Sequence, residues 1–440
     1  MTVETTRLAN GITVATQRFE HVESVALGVW VKAGSRNELE NEHGVAHLLE
    51  HMAFKGTVRR TAQTIAEEIE NVGGDINAAT SVETTSYFVR VLKNDVPLAL
   101  DLLADILQNS KFDEDELERE KHVILQELGA ANDTPDDAVF DRFTEAAFRH
   151  QPIGRAILGT RDTIKAFTSD QIRHYIDREY CGERMVIAAA GAIDHDEFVR
   201  LVETHFSGIR AKPKGKAVPL AHYVGGDYRE HRPLQDTQLL LGFEGRAYHV
   251  RDFYASQVLA MLLGGGMSSR LFQEIREKRG LCYSIYAFHW GFSDTGIFGI
   301  HAATEPGDIE ELVSLVLHEL RRAADDIGPA ELDRARAQFR ASLLMSGESA
   351  PSRAGQIARQ ILLFGRPIPN EELLDRLDKL TVERLRDLAY RLFTESPPTV
   401  SAIGPVDQLM DIGSIRTELV SGAMEKKPAT NVGGMRLAVG

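Results

Sequence analysis

Two stretches of this 440-residue chain share one pattern, and that pattern decides how the chain is organised. The first is TSDQIRHYIDREYCGERMVIAAAGAID (168–194), and the second is TVERLRDLAYRLFTESPPTVSAIGPVD (381–407). Corresponding residues lie 213 positions apart: Thr168 and Thr381, Gly191 and Gly404, Asp194 and Asp407. Each stretch predicts a helix capped by Thr, an apolar strand, a glycine turn and an Asp that caps the next helix. We therefore expect two copies of one α+β domain.

A basic, proline-containing segment near the middle of the chain, RAKPKGKAVP beginning at Arg210, is the predicted linker. We expect a first domain at residues 1–209, a linker at 210–220 and a homologous second domain at 221–440. Apolar residues make up 43% of the chain and charged residues 26%, which is a balance typical of globular proteins. Each half therefore has enough apolar material for a core.

Turn residues in the first copy separate segments with strand periodicity from segments with helix periodicity. Asn10-Gly11 predicts a β-hairpin, and DINAATSVETTSYFVRVL (75–92) alternates as two antiparallel strands do. Helical periodicity is found in five segments: 42–54, 61–71, 95–109, 113–130 and 136–148. Meandering strands followed by long helices predict that each domain is an antiparallel sheet packed with helices on one face.

The charge and composition of the chain exclude several classes of protein. The net charge of −15 argues against a nucleic-acid partner. No apolar run reaches the roughly 18 residues that a membrane span needs, and the first residues do not have the pattern of a secretory signal. Two cysteines, Cys181 and Cys282, are too few for a disulfide framework. We therefore expect a bacterial cytoplasmic protein without a membrane span; the alternative is a mature protein of the mitochondrial matrix.

The segment HGVAHLLEHMAFKGT (43–57) carries the residues that point to chemistry. On a helix, His47 and His51 lie one turn apart on the same face and can both reach one zinc ion. Glu50 lies beside that face and can act as a base without being a ligand, as in inverted His-x-x-Glu-His sites. The alternative is three polar residues on a solvated helix. The apolar residues around them predict a buried helix instead, where an unpaired Glu would be costly.

A catalytic zinc ion needs a third protein ligand and one open position. The segment ELEREKHVILQELGAAND (116–133) offers Glu120 and Glu127, two turns apart on one helix face. Either residue could be the third ligand, and the other could then hold a liganding His in place through a hydrogen bond. Both could also be ordinary solvated acids, and the spacing alone does not decide between these alternatives.

Several segments together resemble the pitrilysin/insulysin superfamily of inverted zinc peptidases. The likeness is closest to the beta, catalytic subunit of the mitochondrial processing peptidase and its single-chain bacterial relatives. The segments that carry it are GVAHLLEHMAFKGT (44–57), GGDINAATSVETTSY (73–87), EREKHVILQEL (118–128), DDAVFDRFTEAAFRHQPIGRAILGT (136–160) and GGGMSSRLFQEIREKRGLCYSIYA (264–287). They lie in both halves of the chain, so the resemblance implies that the two domains enclose a clam-like cavity.

The resemblance implies a zinc metalloendopeptidase with one Zn²⁺ per chain. Its third ligand would be Glu127, Glu120 would orient a liganding His, and Glu50 would be the general base. In the second copy, Ala335 stands at the place of Glu120 and Ser342 at that of Glu127, so this copy is expected to bind no metal.

The resemblance also implies residues that bind substrate. Asn77 and Ala78 match the edge strand to which an extended peptide adds, and residues matching the family's substrate-contacting pair, Arg276 and Tyr283, lie in the second domain. Asp137 and Asp141, four apart in DDAVFDRF (136–143), match acids that receive an arginine near the cut. Acids on a helix face are usually only solvated, but a carboxylate pair suits a guanidinium group. We therefore expect basic, presequence-like peptides as substrates.

Two alternatives concern partners and activity. The chain is expected to be a homodimer, and the alternative is a heterodimer with an inactive homologue on which its activity depends. It could also be a non-catalytic relative, like the core subunits of respiratory complexes. Those subunits have typically lost metal residues, whereas His47, Glu50, His51 and Glu127 are all present here.

Overall fold

The computed structural model describes residues 2–215 and 217–421, which form two β-sheets with helices around them. Lys216 of the predicted linker and residues 422–440 of the predicted second domain lie outside the described residues. The first sheet contains β1 (Glu4–Arg7), β2 (Thr13–Arg18), β3 (Ser24–Val31), β4 (Asp75–Thr80), β5 (Thr85–Leu92) and β6 (Met185–Gly191). The second contains β7 (Gly226–His231), β8 (Thr237–Glu244), β9 (Cys282–Gly291), β10 (Gly296–Thr304) and β11 (Thr399–Gly404).

The two sheets have the same topology, apart from the extra strand β1. The first has the order β1-β2-β6-β3-β5-β4, and the second has the order β7-β11-β8-β10-β9. All neighbouring strands are antiparallel except β2 with β6 and β7 with β11, which are parallel. The predicted antiparallel sheets are therefore mixed, with one parallel pair in each. The order places β4 and β9 at equivalent free edges.

Most helices of each half pack on one face of the sheet of that half, but the opposite face also carries a helix, so the prediction that helices cover one face only is wrong. Those of the first half are α1 (Val45–Met52), α2 (Ala62–Asn71), α3 (Val96–Gln108), α4 (Glu114–Asp133), α5 (Pro135–Ala147), α6 (Arg161–Ala166), α7 (Ser169–Glu179) and α8 (His195–Phe206). Those of the second are α9 (Phe253–Gly264), α10 (Ile309–Asp326), α11 (Pro329–Ser346), α12 (Ala350–Phe364), α13 (Asn370–Asp378), α14 (Val382–Tyr390) and α15 (Ile412–Ser421). The helix predicted at 42–54 is shorter than expected, because Gly44 precedes it with a φ of 98°.

One helix of each half packs on the sheet of the other half. Helix α5 contacts β7, β8 and β11 of the second sheet, and α12 contacts β2, β3 and β6 of the first. We call the sheet face that carries the exchanged helix the inner face. The helices occupy equivalent places, since α5 begins at Pro135 and α12 at Ala350, 215 positions later. Each inner face is therefore closed in part by residues of the other half.

A buried ion cluster joins the tips of the β4–β5 and β9–β10 hairpins. Arg36, only 5% exposed, donates to Glu83 at 2.7 Å and to both carboxylate oxygens of Asp294 at 2.7 and 2.5 Å. Ser293 donates from its backbone N–H and its hydroxyl to Glu83. Charge-assisted hydrogen bonds of this kind fix geometry as well as contributing energy. The hairpins that end in the two edge strands are thereby tied to each other.

The repeated capping pattern is correct for three of its four residues. Thr168 and Thr381 accept hydrogen bonds from the first turn of α7 and α14, and Asp194 accepts one from the backbone of α8. The prediction for Asp407 is wrong. In the second copy the loop after β11 is longer, and Asp411 caps the next helix by accepting from the Ser414 N–H.

None of the described helices combines the length and the apolar character that a membrane crossing requires. Cys181 and Cys282 are both buried and form no disulfide.

Candidate metal centre and active site

Helix α1 carries the two histidines, and a buried carboxylate holds its first turn. Oε2 of Glu38 accepts from the Gly44 N–H at 2.8 Å, and Oε1 accepts from the Ala46 N–H at 2.9 Å. Burial outweighs these hydrogen bonds and raises the pKa of Glu38 to about 8. A Cβ at residue 44 would lie 2.9 Å from Cα of Gly159, so only glycine fits there. The helix start is therefore set by its close contact with a neighbouring loop.

The side chains of His47, His51 and Glu127 converge between α1 and α4. One possible ligand atom from each lies within 4.8 Å of the others. Oε2 of Glu127 is 3.8 Å from Nε2 of His47 and 3.6 Å from Nε2 of His51. The two imidazole centroids are 4.7 Å apart, as their spacing of one helical turn requires. The structure thus places Glu127, rather than Glu120, beside both Nε2 atoms.

Glu120 lies behind His51, where it is buried. Its Oε2 is 2.9 Å from Nδ1 of His51, and its Oε1 is 2.7 Å from Nζ of Lys55. Burial works against ionisation of Glu120, but hydrogen bonds from Lys55 and His51 outweigh it and lower its pKa. Lys55 is not among the residues predicted from the sequence, and its position four residues after His51 was the available signal.

These residues fit a zinc ion. Two imidazoles and one carboxylate form a donor set that is known from catalytic zinc sites. Burial, and then the charge of His51, lowers the pKa of His47 to about 4, so its ring is in the neutral form that binds metals. Nδ1 of His47 is buried and has no hydrogen-bond partner among the described residues.

Glu50 lies on the same helix, and its charge acts on two buried tyrosines, Tyr87 and Tyr180. Oη of Tyr87 is 3.1 Å from Oη of Tyr180. Burial, Tyr180 and then the charge of Glu50 raise the pKa of Tyr87. Tyr87 pairs with Ala78 of the edge strand β4. The tyrosine pair therefore lies next to that strand. The carboxylate is half-buried.

Comparisons with known proteins agree with this geometry. Residues 13–161 match the family described as Insulinase (Peptidase family M16), and residues 166–339 match the Peptidase M16 inactive domain. An uncharacterized zinc protease from Rickettsia felis is 40% identical over 91% of this chain and 97% of its own length. The chain belongs to peptidase family M16. It is thus a member of a family of zinc metallopeptidases, and its cofactor is Zn²⁺.

Two further relatives extend the M16 likeness. A probable mitochondrial-processing peptidase subunit beta from Arabidopsis thaliana is 37% identical over 93% of this chain and 80% of its own length. The crystal structure of a protease from Helicobacter pylori superposes with a TM-score of 0.84 at 24% identity and covers 92% of this chain and 99% of its own. The solved structure shows that the two-domain α+β fold is shared.

In this M16 chain, β4 is a free edge strand beside the metal centre. Among the described strands it pairs with β5 alone, and Thr80 donates from its hydroxyl to the Ala46 carbonyl of α1 at 3.4 Å. Asn77 is exposed and Ala78 is buried, because successive residues of a strand face opposite sides of the sheet. Oδ1 of Asn77 accepts from the Ala78 N–H at 2.8 Å. Apart from this side-chain contact, no described strand pairs with the outer edge of β4.

The other predicted residues fall into two separate pairs. Arg276 lies over the ring of Tyr283 at 5.9 Å and over that of Phe272 at 4.6 Å, and Tyr283 is 87% exposed on β9. Among the described residues, no direct contact joins this pair to the metal centre. Asp137 and Asp141 lie on one face of α5, and burial, with Asp137 adding its charge, raises the pKa of Asp141.

Proposed function

We propose that this chain is a zinc metalloendopeptidase that cleaves extended, basic, presequence-like peptides. The observation that carries the proposal is the convergence of His47, His51 and Glu127, within 4.8 Å of one another, beside the open edge strand β4. A metal-binding cluster next to a free strand edge suits a substrate whose backbone is extended.

The proposed reaction uses one carboxylate of this chain for proton transfer. Zinc, when bound by His47, His51 and Glu127, supplies Lewis-acid activation of water and of the scissile carbonyl. Glu50 takes up the proton of the attacking water on its carboxylate and passes it to the leaving amine. Its half-buried position on the helix that carries both histidines keeps this proton within reach of the scissile bond.

Glu120 and Lys55 position a ligand without touching the substrate. Glu120 accepts a hydrogen bond from Nδ1–H of His51, which leaves Nε2 of that ring as the metal-binding nitrogen. Lys55 neutralises the buried carboxylate at 2.7 Å and fixes its orientation. The tautomer and the plane of His51 are thereby set before metal or substrate binds.

We assign the binding of the substrate backbone to β4, and the stabilisation of its reacting carbonyl oxygen to two residues of the second half. Asn77 and Ala78 lie on the strand to which the peptide would add, and the Asn77 side chain must release the Ala78 N–H for pairing. Arg276 and Tyr283 provide donors for the negative charge that develops on the carbonyl oxygen. The exposure of Tyr283 and its stacking with Arg276 support this role.

The preference for basic peptides rests on the paired acids of α5. Asp137 and Asp141 offer neighbouring carboxylates on one helix face, which suit a planar guanidinium. The net charge of −15 also favours cationic substrates. We place the enzyme in the bacterial cytoplasm, with the mitochondrial matrix as the alternative. Two free, buried cysteines fit such reducing compartments.

We propose a homodimer, with an inactive homologue as the alternative partner. Gel filtration of the chain alone, combined with zinc analysis and cleavage of a quenched basic peptide, tests both the activity and the assembly. We expect a zinc-containing dimer whose activity is lost with a chelator and restored by zinc. Activity only beside a homologue would establish the heterodimer. Zinc without cleavage of any peptide would establish a non-catalytic subunit.

A further inference from the structure

The inner face of the first sheet carries a groove that the proposed mechanism does not use. The groove has a volume of about 520 Å³ and lies beside the edge strand β4. Its walls include Trp30 of β3 and Phe88 of β5 on one side, and Ala354 and Gly355 of the exchanged helix α12 on the other. Both halves of the chain therefore contribute to it.

Strand register lays three inner-face residues in a row that leads from the groove to the free edge. Trp30 pairs with Ser86, and Ser86 pairs with Ala79 of β4. The Trp30 ring turns along its own strand, since a Cβ on Gly28 would lie 3.0 Å from Cη2 of Trp30. It therefore does not cover Ser86. The small residues Ser86 and Ala79 leave an open channel in the sheet surface.

The second sheet shows what fills the equivalent row. Trp30 pairs with Val186 of β6, and Gly242 pairs with Thr399 of β11. Val186 and Thr399 are 213 positions apart, which is the offset of the repeat, so Gly242 is the counterpart of Trp30. From Gly242 the row continues to Gly299 and then to Phe288 of the edge strand β9.

In that row the side chain of Phe288, from the edge strand β9, lies across the neighbouring strand β10. A Cβ on Gly299 would be 2.3 Å from Cζ of Phe288, so the phenyl ring occupies the space above this glycine. Above Gly242, the ring of Phe143 from α5 does the same, at 2.5 Å from a Cβ there. The inner-face row of the second half is thus filled with aromatic rings, whereas that of the first half is open.

We propose that the row Ala79–Ser86–Trp30 is a specificity subsite that takes one aromatic side chain of the bound peptide. This inference rests on the proposed function, because it needs a peptide added to β4. Adjacent strands lie about 4.8 Å apart, so the peptide residue opposite Ala79 faces the inner side and its ring reaches across Ala79 to Ser86. The groove into which the edge of this ring points is bordered by Phe88, with Trp30 further along the row, and aromatic rings favour such contacts, as Phe288 and Trp290 show in the second half.

The geometry also separates this subsite from the metal centre. Ala78 and Ala79 face opposite sides of the sheet, and Ala78 pairs with Tyr87 on the side on which α1 packs. Alternate side chains of the bound peptide therefore contact different surfaces of the protein. Those on one side face the metal centre, and one of those on the other side enters the channel.

The test uses the full chain with zinc and a basic host peptide in which each position in turn is Phe or Ala. We expect one position at which Phe raises kcat/KM by about ten-fold or more, as filling an apolar pocket does. Ser86→Leu fills the channel, and Phe88→Ala removes one wall. Both variants are expected to lose this preference while they still cleave the Ala peptide. Ser314→Leu, the same substitution at a half-buried position of α10, serves as the control and should keep it.

The possible outcomes separate the two proposals. A wild type without any such position, or variants that retain the full preference, would overturn the subsite and leave the peptidase intact. A wild type that cleaves no peptide would overturn the proposed function and the subsite together. Thermal melting of Ser86→Leu shows whether a loss of cleavage reflects unfolding, and in that case the result for Phe88→Ala decides.

Discussion

The two halves of the molecule share one fold, yet they differ in the pair of helices that carries the metal centre in the first half. Helices α4 and α11 begin 215 positions apart, at Glu114 and Pro329. Leu117 and its counterpart Leu332 are both buried, so the two helices pack in the same register. Three residues further on, Glu120 is buried with an ion pair in the first half, while the second half has the buried Ala335.

This difference shows that the fold does not need the acids. A buried carboxylate is costly unless it is paired, and Glu120 is paired twice, with Lys55 and with His51. At the place of Glu127 the second half has the exposed Ser342, and α9, which stands where α1 stands, contains no histidine. The packing of this helix pair therefore does not require the polar residues of the first half.

The largest effect is expected for the metal ligands. His51→Ala and Glu127→Gln should each abolish zinc binding and with it all measurable cleavage, because two ligands do not hold zinc tightly. Elemental analysis of the purified chains measures the metal directly. Ser342→Ala, at the place of Glu127 in the second half, is the matched control and should keep both zinc and activity. Full zinc in Glu127→Gln would break the proposed ligand set.

Next in size is the effect at Glu50. Glu50→Gln keeps the shape of the side chain but removes the base, so kcat should fall by about 10²–10⁴-fold while zinc content is unchanged. Glu118→Gln, which removes an exposed acid of α4, is the control for the loss of one charge. Near-normal turnover in Glu50→Gln would rule out the role of general base. The first half would then differ from the second in its metal ligands, but not in carrying the general base.

Local patterns predicted the elements and the motif residues, because these depend on residues close together in the chain. The hairpin at Asn10-Gly11, the strands within 75–92 and the two histidines on α1 all follow from short-range spacing. The choice between Glu120 and Glu127 did not, because it depends on how α4 lies against α1. Family resemblance supplied that choice, and the geometry of the Nε2 atoms agrees with it.

Features that join distant parts of the chain could not be predicted from the sequence. The exchange of α5 and α12 depends on which sheet each helix covers, and periodicity is the same for either sheet. The pairing of Arg36 with Asp294 joins residues 258 positions apart. The open row at Ser86 depends on the strand register of both sheets, which local sequence patterns do not give.

A smaller effect is expected in the second half, at Tyr283. If its hydroxyl donates to the developing oxyanion, Tyr283→Phe should lower kcat by about 10²-fold and change KM little. Steady-state kinetics on one basic peptide separates the two constants. Tyr286→Phe, on the same strand and half as exposed, is the matched control. A change in KM alone would make Tyr283 a binding residue, and the second half would then contribute only a wall.

The smallest effect concerns the exchanged helix α5, which belongs to the first half, packs on the second sheet and carries two neighbouring acids. Asp137 and Asp141 share one face, and an arginine near the scissile bond can bind both. The wild type should therefore favour an Arg peptide over its Ala counterpart by about ten-fold, and Asp137→Asn/Asp141→Asn should reduce that preference to near unity. Cleavage of the Ala peptide should be little changed, because neither acid touches the metal centre.

The pH dependence of that preference provides an independent check. Burial raises the pKa of Asp141, so on acidification this residue becomes neutral before an ordinary Asp does. The preference for Arg should therefore be complete at neutral pH and decline as the pH falls through this raised pKa, while the ratio in the double variant stays flat. Equal cleavage of both peptides by the wild type would mean that α5 carries no arginine site. A preference that survives in the double variant would place that site elsewhere, and α5 would then serve only to close the second sheet.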